Sequence, residues 1–285
     1  RTNLVREHQP ISRADLARHM KIGRGVISML VNELITKELI YEGAIGEAAR
    51  GRKPTFLHVR TEDRIVIAVD VRLSRTFLML TDFSGRKITL EVFDTIFSPS
   101  DFIKDLAERV MQLLKKHGAA QRCVGVGIVV PGVVDYPTER VLNAPTLGWR
   151  DVDLREPFAA LTGLSVHVEN AARACALAQM WHGRDDSVGS QNFAFVSVSD
   201  GVGVGVVING ELVRGRGNMA GEFGHNPLNL DGPRCMCGAS GCWEAYVSNI
   251  ATLARYFGRD LTKMRPGLLL ETNSGEDAGD DCGAH

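Results

Sequence analysis

Gly221–Glu244, GEFGHNPLNLDGPRCMCGASGCWE, decides how the rest of this chain is read. It sets Glu222 and His225 one helical turn apart, places Cys235, Cys237 and Cys242 in a C-x-C-x4-C run, and closes on Glu244. Thiolate sulfur and imidazole nitrogen are the donors a tetrahedral structural zinc prefers, so three cysteines and one histidine fill such a site without an open position. Gly232, Gly238 and Gly241 fall between the donors, where the backbone must turn tightly. A disulfide loop is the competing reading. Neighbouring cysteines in C-x-C are poorly placed to bridge each other, and the sequence shows no secretory segment. The spacing therefore predicts a zinc ion (Zn2+) held by His225, Cys235, Cys237 and Cys242.

Around that stretch the composition is that of an ordinary globular protein. The 285 residues are 44% apolar and 24% charged, enough for two or three units with a core each. No apolar run approaches a membrane span and no basic-then-apolar leader is present. Three clustered cysteines and three scattered ones, Cys123, Cys175 and Cys282, suit a reducing compartment with one metal site, so a cytoplasmic protein is expected. The net charge of −1 hides an asymmetry: residues 1–60 carry eleven Lys and Arg against six Asp and Glu, leaving 22 against 28 for the remainder. A head at +5 on a body at −6 points to a polyanion met by the head alone.

Within the head, Pro10 ends a first helical segment. Ser12 stands as an N-cap, with Asp15 three positions on, before a helix over Arg13–His19. A turn around Lys21–Gly23 leads to a longer helix in which Val26, Ile27, Leu30, Val31 and Leu34 recur at helical spacing, while Arg24, Gly25, Ser28, Met29 and Asn32 face out. Leu39–Glu42 and Thr55–Arg60 read as strands joined by a Gly-rich charged loop carrying Arg50, Arg52 and Lys53. Helix, tight turn, helix and basic hairpin predict a winged helix-turn-helix over 1–60 that binds double-stranded DNA. Arg24, Ser28, Asn32, Arg50, Arg52 and Lys53 are its candidate contacts. A protein-association module with a solvated basic loop is the alternative.

Further on, Ile65–Val71, Thr76–Thr81 and Lys87–Phe93 read as strands. Ser100–Lys116 is an amphipathic helix burying Phe102, Ile103, Leu106, Val110, Leu113 and Leu114, and Val124–Val130 is another strand. Leu164–Val168 delivers Glu169-Asn-Ala-Ala-Arg173 to the start of a helix running to about Trp181. The run Asp200-Gly-Val-Gly-Val-Gly205 suits a phosphate loop and a closely packed strand equally.

The spacing His225-x6-Gly-x2-Cys-x-Cys-Gly-x2-Gly-Cys-x-Glu244 resembles the zinc signature of the ROK family of bacterial repressors, open reading frames and sugar kinases. The patterns ISRADLA (11–17), ELIYEG (38–43) and GRKP (51–54) resemble the winged head of that family's repressors, with Gly25 where a better helix former is usual. The resemblance implies an α/β architecture: the winged head, then an actin-like (ribonuclease H-like) two-lobed body of the ASKHA type, with lobes over 61–122 and 123–257. It implies sugar contacts at Asn170, Glu222, His225 and Glu244, and at Asn143 in the segment Asn143–Trp149. It also implies two losses. The kinase element E-N-D-A-N has its general base at the position of Ala171, and a methyl group accepts no proton. The first phosphate loop, usually Asp-x-Gly-Gly-Thr, reads Asp70-Val-Arg-Leu-Ser-Arg75 without a glycine. Residues 258–285 read as an aberrant or disordered tail that leaves the body truncated. The expectation is a sugar-responsive regulator, a repressor, that binds an operator and a monosaccharide or sugar phosphate as a homodimer or tetramer without catalysis. An ATP-dependent sugar kinase is the alternative.

Overall fold

The computed structural model describes residues 4–5, 8–45, 55–60, 64–182 and 191–263. Two compact units emerge, one of residues 1–65 with 81–87, the other of 66–80 with 88–285.

In the first unit a short strand β1 (Ile11–Ser12) runs into helix α1 (Arg13–Met20). Ser12 accepts from the Asp15 amide while the Asp15 carboxylate accepts from Ser12, the reciprocal capping box expected at this position. Lys21–Gly23 turns the chain into α2 (Arg24–Thr36), followed by β2 (Ile40–Ile45) and β3 (Thr55–Val59). The three strands form one sheet in the order β1-β3-β2, with β2 and β3 antiparallel from Ile40↔Val59 to Ile45↔Thr55 and a bulge after Glu42. Ile11, Leu16, Ile27, Val31, Ile40, Leu57 and Val59 make its core. Val26 does not join them. It is 47% exposed, because it lies about 100° around the helix from the stripe of Ile27 and Val31. The loop with Arg50, Arg52 and Lys53 lies outside the described residues.

The second unit is α/β. Its main sheet, in the order β11-β7-β4-β5-β6, combines β4 (Ile65–Val71), β5 (Arg75–Asp82), β6 (Lys87–Asp94), β7 (Cys123–Val130) and β11 (Val166–Asn170). The sheet therefore does not stop at residue 122: β7 and β11, assigned from the sequence to a second lobe, complete it. Alternation on β4 buries Ile65, Ile67, Val69 and Val71, as period-two patterning requires. Helix α3 (Pro99–Lys116) buries the six apolar residues anticipated for it, together with Ala107. Between β7 and β11 come β8 (Val133–Val134), β9 (Val141–Ala144), β10 (Trp149–Val152) and helix α4 (Arg155–Thr162). Of these, β8, β9 and β10 form a small antiparallel sheet. Trp149 anchors it by donating Nε1–H to the Phe97 carbonyl at 2.7 Å and packing its ring on Phe102.

Two features of this unit position the site. Strand β11 runs parallel to β7 in a register that sets Asn170 beside Val130, so both strands end at the Pro131-Gly132 turn. Helix α5 (Ala171–His182) then starts at once. Beyond it, β12 (Phe193–Val198), β13 (Val202–Ile208) and β14 (Glu211–Leu212) make a third sheet, in chain order. The alternating glycines belong to this strand packing: a Cβ on Gly203 would come within 2.7 Å of Ala172, and one on Gly205 within 2.6 Å of the Ala172 carbonyl and the Ala176 methyl. They let α5 lie directly on β13. After the cysteine loop, α6 (Glu244–Val247), α7 (Asn249–Tyr256) and a single turn over Leu261–Lys263 follow, with Leu261 buried.

Candidate metal centre and adjoining polar cluster

His225, Cys235, Cys237 and Cys242 come together as the spacing predicts, their donor atoms all within 4.8 Å of one another. His225 ends a short helical turn over Glu222–His225. The cysteine loop is closed by Cys235 N–H donating to Ala239 O and Leu228 N–H donating to Gly241 O. Gly241 adopts φ +72° against Asn229, whose carbonyl occupies the space a Cβ would need. Sγ of Cys237 lies 3.7 Å from Sγ of Cys242, and Sγ of Cys235 lies 3.8 Å from Nδ1 of His225. Zinc bonds of about 2.3 Å to sulfur make the edge of a tetrahedron about 3.8 Å, which these two separations match, so the four residues could hold one ion. All three cysteines are free, and burial pushes the thiols of Cys235 and Cys242 up from their ordinary values. Buried sulfurs of this kind become thiolates only where a cation offsets the lost hydration.

The ring of His225 has two neighbours. With Nδ1 toward the cysteines, Nε2 lies 3.9 Å from the Glu222 carboxylate, near it but beyond hydrogen-bond reach. Burial raises the Glu222 carboxyl, with His225 and Arg173 opposing the shift. Glu244 is turned to the backbone and the cysteines: Oε2 accepts from Val202 N–H at 2.8 Å and Oε1 lies 3.8 Å from Cys235 Sγ.

A second cluster forms where β7 and β11 end. Asn170 caps α5 by accepting from Arg173 N–H, and its Nδ2 donates to Gly132 O at 2.7 Å. Glu169 accepts from Arg173 at 3.1 Å on one oxygen and from Arg214 at 2.6 Å on the other. Arg173 is only 2% exposed. One Nη donates to Val134 O at 2.9 Å, while burial lowers its guanidinium and Glu169 works against that shift. Asn218 ties the same turn to the loop before Glu222, donating to Asp135 and accepting from Tyr136 N–H. Asn143 Oδ1, Thr146 Oγ1 and Arg173 Nη1 are among the buried polar atoms that find no hydrogen-bond partner among the described residues. Asn143 and Asn170 are thus brought to the Gly132 turn and Glu222 and His225 to the metal loop, with Glu222 close enough to Arg173 to favour its charged form. Arg173, Arg214 and Asn218 escaped sequence reasoning. Only Arg173 carried a signal, as a cation closing the ENAAR element.

Asp70–Arg75 runs from the end of β4 into β5 through a turn held by Arg72, which pairs with Asp70 at 2.7 Å and covers the Phe77 ring. Leu73 is 3% exposed and shares a core with Cys235, Cys242, Ala245 and Ile250. In the head, Asn32 Oδ1 accepts from Arg13 at 2.9 Å, and Arg13 also pairs with Glu42. Arg24 and Asn32 are exposed and Ser28 is half-buried. No helix among the described residues is long and apolar enough to cross a membrane.

A family model described as ROK family matches residues 66–277, twenty residues past Phe257, where the recognisable motifs end. The xylose repressor of Bacillus subtilis (strain 168) is 31% identical over 254 residues, covering 87% of this chain and 65% of that protein. A glucokinase of Streptomyces coelicolor is 32% identical over 213 residues, covering 74% and 65%. Among solved structures, a ROK family transcriptional regulator described as a homolog of the E. coli Mlc protein superposes with a TM-score of 0.75 at 27% identity, covering 90% of this chain and 65% of that one. The chain thus spans just under two thirds of the length of these relatives.

Proposed function

The chain belongs to the ROK family, and from that premise we propose that it is a sugar-responsive DNA-binding repressor of carbohydrate-metabolism genes whose kinase-type body binds sugar without phosphorylating it. The observation that carries this reading is the buried Leu73. A kinase needs backbone amides open to phosphate oxygens at this turn. Here an apolar side chain packs against the cysteine loop. Ala171 at the base position and the engagement of both Glu169 oxygens by arginines support the same conclusion.

For the sugar half, the support is the unpaired polar set. Leaving a buried donor or acceptor unmade costs about 1–3 kcal/mol, and a hydroxyl-rich ligand bonded to Asn143 Oδ1 and Arg173 Nη1 removes that cost. Glu222 and His225 add an acceptor and a ring edge, with Asn170 and Glu244 holding the surrounding backbone and offering their remaining lone pairs. His225, Cys235, Cys237 and Cys242 hold the zinc, which supplies no chemistry to a substrate: it fixes the loop that carries Glu222 and Glu244. For the DNA half, the support is α1, the turn and α2 with the hairpin strands β2 and β3, together with the basic excess in residues 1–60. Arg24, Ser28, Asn32, Arg50, Arg52 and Lys53 are its proposed contacts. Sugar acts by linkage, favouring one body conformation and so changing how a dimer spaces two heads over half-sites.

The relatives named xylose repressor make xylose the first effector to test, and the glucokinase relative makes glucose the second. Operator affinity is titrated with each sugar, and ADP release is followed with the same sugars plus ATP. A sugar-dependent change in DNA affinity without ADP release is expected. Sugar-dependent ADP release at ordinary kinase rates, about 1–100 per second, overturns the reading in favour of a sugar kinase, the second reading, which the glucokinase relatives favour.

A further inference from the structure

Helix α2 presents an apolar patch left exposed among the described residues. Gly25 lies in the first turn, where glycine is a poorer helix former than alanine. Its backbone is not in the left-handed region, and a Cβ added there would meet nothing within 4 Å. Neither conformation nor packing among the described residues accounts for a glycine at this position. Close approach of something outside the chain does. Beside it stand Val26, 47% exposed, and Met29, 63% exposed. Residues three and four apart are neighbours on a helix surface, so Gly25, Val26 and Met29 form one continuous patch.

Of the polar residues proposed to contact DNA from this helix, Asn32 is curtailed as a base reader. Asn reads adenine by donating and accepting at once, yet Asn32 Oδ1 already accepts from Arg13, which is itself held by Glu42 and by the Ser28 carbonyl. The base-edge group in the major groove that an apolar side chain recognises is the thymine C5 methyl. The net charge of +5 over residues 1–60 complements the phosphates flanking such a groove. We propose that Gly25, Val26 and Met29 read thymine methyl groups, with Gly25 admitting the helix backbone close to the base edges and Val26 and Met29 covering the methyls. This rests on the DNA-binding reading of the head.

The test uses the full chain. Duplexes are enriched from a random-sequence library, and in the best binder each thymine is replaced singly by uracil, which deletes only the methyl. Affinity is expected to fall about fourfold for each contacted methyl. That loss should vanish when the protein carries Val26→Ala with Met29→Ala. Gly25→Ala should weaken every duplex while raising thermal stability. Enriched duplexes that bind equally well with uracil at every thymine overturn the proposal and leave the DNA-binding reading standing. Enrichment of no duplex overturns both, and concentration-dependent self-association abolished by Met29→Ala would then assign the patch to a second copy of the chain.

Discussion

Leu73 and Asp135 show how much single side chains decide. Leu73 fills space shared with Cys235, Cys242 and Ile250, so Leu73→Ala should cost about 2–5 kcal/mol, read as a lower denaturant midpoint with an unchanged slope. The same variant should show no kinase activity, because the cavity restores neither loop glycines nor a base. Asp135 links the turn after β8 to the loop around Asn218. The Thr138 hydroxyl chiefly holds its carboxyl below the ordinary value, burial opposes the shift, and the Thr138 amide and Asn218 reinforce it. A depressed folded value means the stabilisation is complete above the unfolded value, near 4, and is lost as pH falls through the folded one. Asp135→Asn should therefore flatten the acid limb of stability below about pH 4, measured by urea unfolding across pH.

At the scale of elements, the Ser12–Asp15 box gives a clean measure of the head. Ser12→Ala should cost about 1 kcal/mol, read from thermal unfolding. Gly205→Val places branches against Ala176 and the Ala172 carbonyl and should separate α5 from β13, detected by near-ultraviolet dichroism. The long periodic elements were legible in the sequence: β4 matched its apolar run and α3 its stripe to within a residue. The small sheet β8–β10 was not, because strands of two to four residues carry no period. The place of β11 was not either, since its partner β7 lies some forty residues back and strand order leaves no local trace. Val26 was misplaced because an apolar residue adjoining a helical stripe fits the pattern on either side of its edge. In the site, His225 and the cysteines were legible because ligand type and spacing are local. Arg214 was not, because its partner Glu169 is 45 residues away.

For the whole molecule, the metal and the two units set the expectation. One zinc per chain should be found by elemental analysis, and Cys237→Ser should lower that content. Chelation should depress the unfolding transition of the body, where buried thiols and Leu73 share one core, and leave that of the head unchanged, since its core draws on residues 5–59 alone. A common shift of both transitions would contradict this separation.

The cysteine loop also has a temporal consequence. His225, Cys235, Cys237 and Cys242 span eighteen residues, so closing them costs little chain entropy. The contacts that tie the segments flanking this loop to the rest of the body reach much further: Glu244 to Val202 over 42 residues, Asn218 to Asp135 over 83. Local contacts form before distant ones when closure entropy sets the order. A nascent or refolding chain should thus capture its ion as a preformed knot, on which the strand ends around Gly132 and Asn170 assemble last.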